Sequence, residues 1–83
     1  MQTVCLFASD YDSAPAVHQA LQLLLALPDY YGRNADALND CLSERESCPA
    51  LWYRKGGAPE VDSALELIAR VFRANGGPVT ELP

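Results

Sequence analysis

The spacing of apolar positions changes along this chain, and each change marks an element. Thr3-Val4-Cys5-Leu6-Phe7-Ala8 is a nearly continuous apolar run. Its length and its β-branched and aromatic content predict a strand near residues 2–8, buried on both faces. Ser9 to Ser13 is polar and turn-forming. Ser13 suits a helix N-cap, and Pro15 is tolerated in the first turn. Val17, Leu21, Leu24 and Leu25 then recur at helical spacing, which predicts a helix over 14–27 that Pro28 stops. After the turn Pro28-Asp29-Tyr30-Tyr31-Gly32-Arg33, Asn34 can cap a second helix over 34–45.

Cys48-Pro49 interrupts, and Ala50-Leu51-Trp52-Tyr53 reads as a strand near 50–54. Arg54 to Pro59 reads as a flexible connection. Val61, Leu65, Ile68 and Phe72 share one face of a third helix over 60–75. Asn75-Gly76-Gly77 ends it, because glycine accepts the left-handed conformation beyond a helix C-terminus. Residues 78–82 read as a short edge strand. The order is β-α-α-β-α-β. Strands separated by helices imply parallel pairing through right-handed crossovers. The expected class is α/β, a three-stranded parallel sheet packed by three to four helices in one domain over residues 1–83. No repeat and no interdomain linker interrupts it.

Composition narrows what such a domain can do. The chain has 83 residues, 49% of them hydrophobic, which suits one small globular domain. Eleven Asp and Glu against six Lys and Arg give a net charge of −5. That balance argues against binding nucleic acid or anionic membrane, both of which need a basic face. It favours a basic partner. Cys5, Cys41 and Cys48 are odd in number and form no C-x-x-C pair, so no zinc knuckle, metal site or dithiol redox site is expected. Met1 to Ala8 has neither a basic start nor an apolar stretch of secretory length. The expectation is a cytoplasmic protein with reduced thiols, monomeric when free and without cofactor. Cys48, beside Pro49 in a connection, should react first with a thiol reagent. Cys5 in a buried strand and Cys41 beside an apolar helix face should react slowly.

The second helix carries the informative pattern. Residues four apart differ by about 40° around a helix axis, so Asp36, Asp40 and Glu44 form one carboxylate stripe. Ala35, Leu38 and Leu42 centre on the opposite face. Like charges at this spacing cost roughly 0.2–0.5 kcal/mol per pair, and no Lys relieves them. Glu44 also lies at the unfavourable end of the helix dipole. An acidic face kept at a local cost suggests an electropositive partner, although a solvated face of an acidic protein shows the same pattern. Tyr30 and Tyr31 precede this helix, and tyrosine is a favoured interface anchor. One of the two is expected in the core and the other exposed.

The run Leu27-Pro28-Asp29-Tyr30-Tyr31-Gly32-Arg33-Asn34-Ala35-Asp36-Ala37-Leu38-Asn39-Asp40-Cys41-Leu42 closely resembles the signature segment of the barstar family. Val17-His18-Gln19-Ala20-Leu21 and Val71-Phe72-Arg73 match it too. The resemblance implies a barstar-like fold and an intracellular inhibitor of a small, secreted-type guanyl ribonuclease. The acidic helix and the loop before it would plug the basic active site, with carboxylates in place of substrate phosphates. The implied partner-binding set is Tyr30, Asn34, Asp36, Asn39, Asp40, Ser43 and Glu44. Asp40 would be the central anchor, Asp36 its neighbour, and Tyr30 and Asn34 flanking contacts. Asn39 places an amide where the best-known member of the family has a tryptophan.

Other function classes fare less well. An enzyme would have to be built on a thiol dyad of His18 and Cys41. Both sit inside apolar helical patterns with nothing nearby resembling an oxyanion hole, so no enzyme is expected. The three acids along one helix lack a folded loop to surround a cation. Trp52 reads as a core or sheet-face residue. The alternative is a binding module of the same fold for another basic partner, such as a different nuclease toxin or a nucleic-acid-binding protein.

Overall fold

The structure, a computed structural model, describes residues 2–83. Strand β1 (Thr3–Phe7) runs through a short 3-10 turn (Ala8–Asp10) into α1 (Ala14–Leu24). Then follow α2 (Ala35–Ser43), β2 (Ala50–Arg54), α3 (Pro59–Ala74) and β3 (Val79–Glu81). The order and the three parallel strands are those the pattern predicts. The sheet runs β1-β2-β3, with Val4 beside Leu51 and Leu51 beside Val79.

Helix α3 organises the interior. Val61, Ala64, Leu65, Ile68, Ala69 and Phe72 are all buried, on one apolar face. That face packs against α1, α2, β2 and β3. The connection before α3 is more ordered than its glycines suggest. The Asp62 carboxylate accepts from Gly56 N–H at 3.0 Å and from Gly57 N–H at 3.1 Å, which pins the loop to the first turn of the helix.

Strand β1 is not buried on both faces. Val4 and Leu6 are buried, whereas Thr3 and Cys5 are exposed. The helices cover one face of the sheet, so every second residue points outward. Cys5, Trp52 and Thr80 lie in register across that open face. Trp52 is 47% exposed there. Phe7 is half-buried beneath the Arg54 guanidinium, 5.2 Å from the ring centre.

Helix α1 ends three residues sooner than predicted. Ala26 takes a left-handed φ of 52°. Leu27 N–H then donates to Gln22 O at 2.9 Å, and Ala26 N–H to Leu23 O at 3.4 Å. This pair of bonds is a Schellman cap, and it stops the helix ahead of Pro28. The reversal buries Leu25 and Leu27 and leaves Leu24, assigned to the apolar face by spacing, 48% exposed. Helix α3 closes the same way where the sequence predicts it, with Gly76 at φ 83° and Gly77 N–H donating to Phe72 O at 2.8 Å. Gly77 is needed for a second reason. A Cβ there would lie 2.6 Å from Pro49 O and 2.7 Å from Cys48 Sγ.

The cysteine order inverts accordingly. All three are free thiols, but Cys48 is the buried one, with its Sγ 3.6 Å from Phe72 O. Burial pushes its thiol up, and Cys5 lies in the open. Thiol titration with an aromatic disulfide reagent should therefore label Cys5 first and Cys48 last. Mass mapping after partial labelling checks the order. Ala26→Gly should stabilise the fold by up to about 1 kcal/mol in denaturant melts. Relief of the left-handed strain is partly offset by the greater freedom of the unfolded chain.

Candidate functional site

The acidic segment is built from its N-terminus. Asn34 is the N-cap of α2, its Oδ1 accepting from Ala37 N–H at 2.8 Å and its Nδ2 donating to Gly32 O at 3.2 Å. Both ends of that amide are thus engaged within the segment. Just before it, Arg33 holds a left-handed φ of 55°, which turns the chain from the tyrosine loop into the helix. Leu38 and Leu42 are buried, so the opposite face is directed outward. Asp36, Asn39, Asp40, Ser43 and Glu44 are all exposed on it.

No ion pair engages the carboxylates of this face among the described residues. Arg45, which follows Glu44, reaches away instead. Its guanidinium donates to Leu25 O at 3.3 Å and to Gln2 Oε1 at 3.5 Å, tying the end of α2 to the end of α1. Glu44 is the C-cap of α2, and Ser43 Oγ folds back to donate to Asp40 O at 2.9 Å.

The two tyrosines part as expected. Tyr31 is buried, with its hydroxyl 2.6 Å from His18 Nδ1, while Tyr30 is 84% exposed. Between Tyr30 and α2 lies a notch of about 140 Å³ lined by Tyr30, Tyr31, Gly32, Ala37, Asp40, Cys41 and Glu44. A ring wall and two carboxylates suit a guanidinium or ammonium group. The negative field there registers on the Cys41 thiol, which is pushed up by burial and then by Glu44 and Asp40. The structure brings Tyr30, Asp40 and Glu44 together, whereas Asp36 stands outside the notch, one turn nearer the helix start. Gly32, Ala37 and Cys41 were missed by sequence reasoning. They line the notch without a charged side chain, and small size beside a turn gives no chemical signal. No cluster of metal-binding side chains occurs among the described residues, nor any helix long and apolar enough to cross a membrane.

The family model described as Barstar (barnase inhibitor) matches residues 1–74. The chain belongs to the barstar family. It is also 42% identical over 43 residues to the Bacillus subtilis (strain 168) protein named "Putative ribonuclease inhibitor YrdF". That match covers 52% of this chain and 47% of the relative, so the chain spans about half the length of the curated relative it matches. The barstar resemblance read from residues 27–42 is thus borne out, as are the α/β class and element order it implied.

The His18–Tyr31 contact makes the base of the loop sensitive to pH. Burial holds His18 below its usual pKa. The unfolded chain then binds the proton more readily than the folded one, so stability is full above the unfolded pKa of about 6.5 and falls as pH drops below it. An NMR titration of the His18 ring should give a midpoint below that value. Tyr31→Phe should cost about 1–3 kcal/mol at neutral pH by leaving the imidazole nitrogen without its partner, as read in denaturant melts.

Proposed function

We propose that this protein inhibits a small, basic, guanyl-specific ribonuclease inside the cell, by seating α2 and the Tyr30 loop in the enzyme's active site. The observation that carries this reading is the unpaired acidic face. Asp36, Asp40 and Glu44 are exposed, no cation of the described residues neutralises them, and two of them line a notch walled by Tyr30. A fold selected for stability alone would alternate signs along the helix. Membership of a family described by inhibition of barnase supports a ribonuclease as the target of that face.

In the proposed complex Asp40 enters deepest, where substrate phosphate would lie, and accepts hydrogen bonds from active-site Arg and Lys groups. Asp36 sits one turn away at a neighbouring phosphate position. Tyr30 covers the pair with apolar area and excludes water. Glu44 at the rim steers encounter, and Asn34, Asn39 and Ser43 complete the contact surface. The protein itself performs no chemistry; it occupies the site.

Opposed effects on binding and folding test this reading. Asp40→Ala should weaken ribonuclease binding by about 2–5 kcal/mol, a general range for buried charge pairs to which this family's own complexes contribute. Free-protein stability should stay level or rise by a few tenths of a kcal/mol, because the change relieves like-charge repulsion. Asp36→Ala should cost less binding, and Glu44→Ala should mainly slow association and weaken its salt dependence. Calorimetric titration against a guanyl-specific ribonuclease at two salt concentrations, with thermal melts of the free variants, reads each effect. Unchanged binding by Asp40→Ala would rule out the active-site plug. A parent protein that inhibits none of the ribonucleases tried would move another basic partner ahead.

A further inference from the structure

Asn39 lies midway along the outward face of α2, and Asn75 is the C-cap of α3. Their side chains meet. Asn75 Nδ2 donates to Asn39 Oδ1 at 2.9 Å and to Val71 O at 2.8 Å. The second bond fixes the sense of the first. A main-chain carbonyl only accepts, so the Asn75 atom facing Val71 must be the amide nitrogen. Its two hydrogens are then divided between Val71 and Asn39. The Asn39 atom that meets it must be the oxygen, and Asn39 Nδ2 is turned away from Asn75. That nitrogen donates to nothing else among the described residues.

The consequence is a local reversal of chemistry. Asp36, Asp40 and Glu44 offer acceptors, while Asn39, between Asp36 and Asp40 in the chain, offers two N–H donors whose orientation is held by the neighbouring helix. A basic side chain placed opposite would meet donor with donor, leaving both unpaired as water is excluded. We infer that Asn39 is a specificity-determining residue that selects a partner presenting a hydrogen-bond acceptor, a carbonyl or carboxylate oxygen, within its otherwise basic face. This rests on the inhibitory reading above and narrows the ribonucleases that fit it.

Asn39→Asp is the deciding variant. It keeps an oxygen for Asn75 and replaces the outward donor by an acceptor, while adding a negative charge. Attraction to a basic site alone predicts tighter and faster binding. The inference predicts the opposite sign, a loss of about tenfold or more, which is ~1.4 kcal/mol per decade. The probe is a catalytically inactivated guanyl-specific ribonuclease, with Kd measured at low and high salt and helicity checked by circular dichroism. A loss that shrinks at high salt identifies a carboxylate on the partner, and a loss indifferent to salt identifies a carbonyl. Asn75→Ala frees the Asn39 amide to turn but keeps its donors, so it should lose only about two- to threefold. Equal or tighter binding by Asn39→Asp, or a larger loss from Asn75→Ala, overturns the inference while leaving the inhibitory reading standing. A parent that binds no ribonuclease overturns both.

Discussion

Everything in this fold leans on the apolar face of α3. Six side chains from Val61 to Phe72 are buried on it, and it meets two helices and two strands. Among the described residues no second layer of helices covers the far side of the sheet. The consequences follow from that shortage. One sheet face is open, Cys5 and Trp52 stand on it, and α2 can bury only Leu38 and Leu42 before its outward face meets solvent. The exposed position of the acidic face is therefore a product of the core's geometry, before any question of partner arises.

What lies on that outward face is a separate matter, and the energetics are informative. Asp36, Asp40 and Glu44 repel one another weakly, and Glu44 opposes the dipole at the helix end. Arg45, next in the chain after Glu44, is committed to carbonyl and amide oxygens of other segments. The helix tolerates this because its stability comes from Leu38, Leu42 and a well-formed Asn34 cap, each worth more than a pairwise repulsion. Lys55 shows the contrast. It sits between Glu66 at 2.6 Å and Glu81 at 3.6 Å, so the same chain does pair acids with cations elsewhere.

The legible parts of the sequence were those with a periodic or capping signal. Leu38 and Leu42 against Asp36, Asp40 and Glu44 gave the orientation of α2, and Asn34 and Gly76 marked helix ends through well-understood backbone chemistry. Less legible was anything decided by which layers exist. The apolar run at Val4 to Phe7 looks the same whether one face or two are covered, which hides the exposure of Cys5, and Cys48 is buried by Phe72 and Gly77, which lie far from it in the chain. The end of α1 was hidden because Ala26, a good helix former, adopts the left-handed turn usually left to glycine. At the site, the notch and the Asn39–Asn75 bond bring together residues distant in the chain, and neither follows from spacing on one helix.

The tyrosine loop connects these levels. Tyr31 N–H donates to Pro28 O at 2.9 Å, closing a turn that leaves the Tyr30 ring in solvent while Tyr31 is anchored on His18. An exposed aromatic is ordinarily a liability, and here it is held in place from below by a buried hydrogen bond rather than by contacts of its own. Arg33 and the Asn34 cap then fix where the acids begin relative to that ring. In the complex proposed above, a loop and helix arranged in advance would lower the ordering cost of association. It also links the site to folding: any change that loosens His18 and Tyr31 should act on recognition through the position of Tyr30, without touching a single carboxylate.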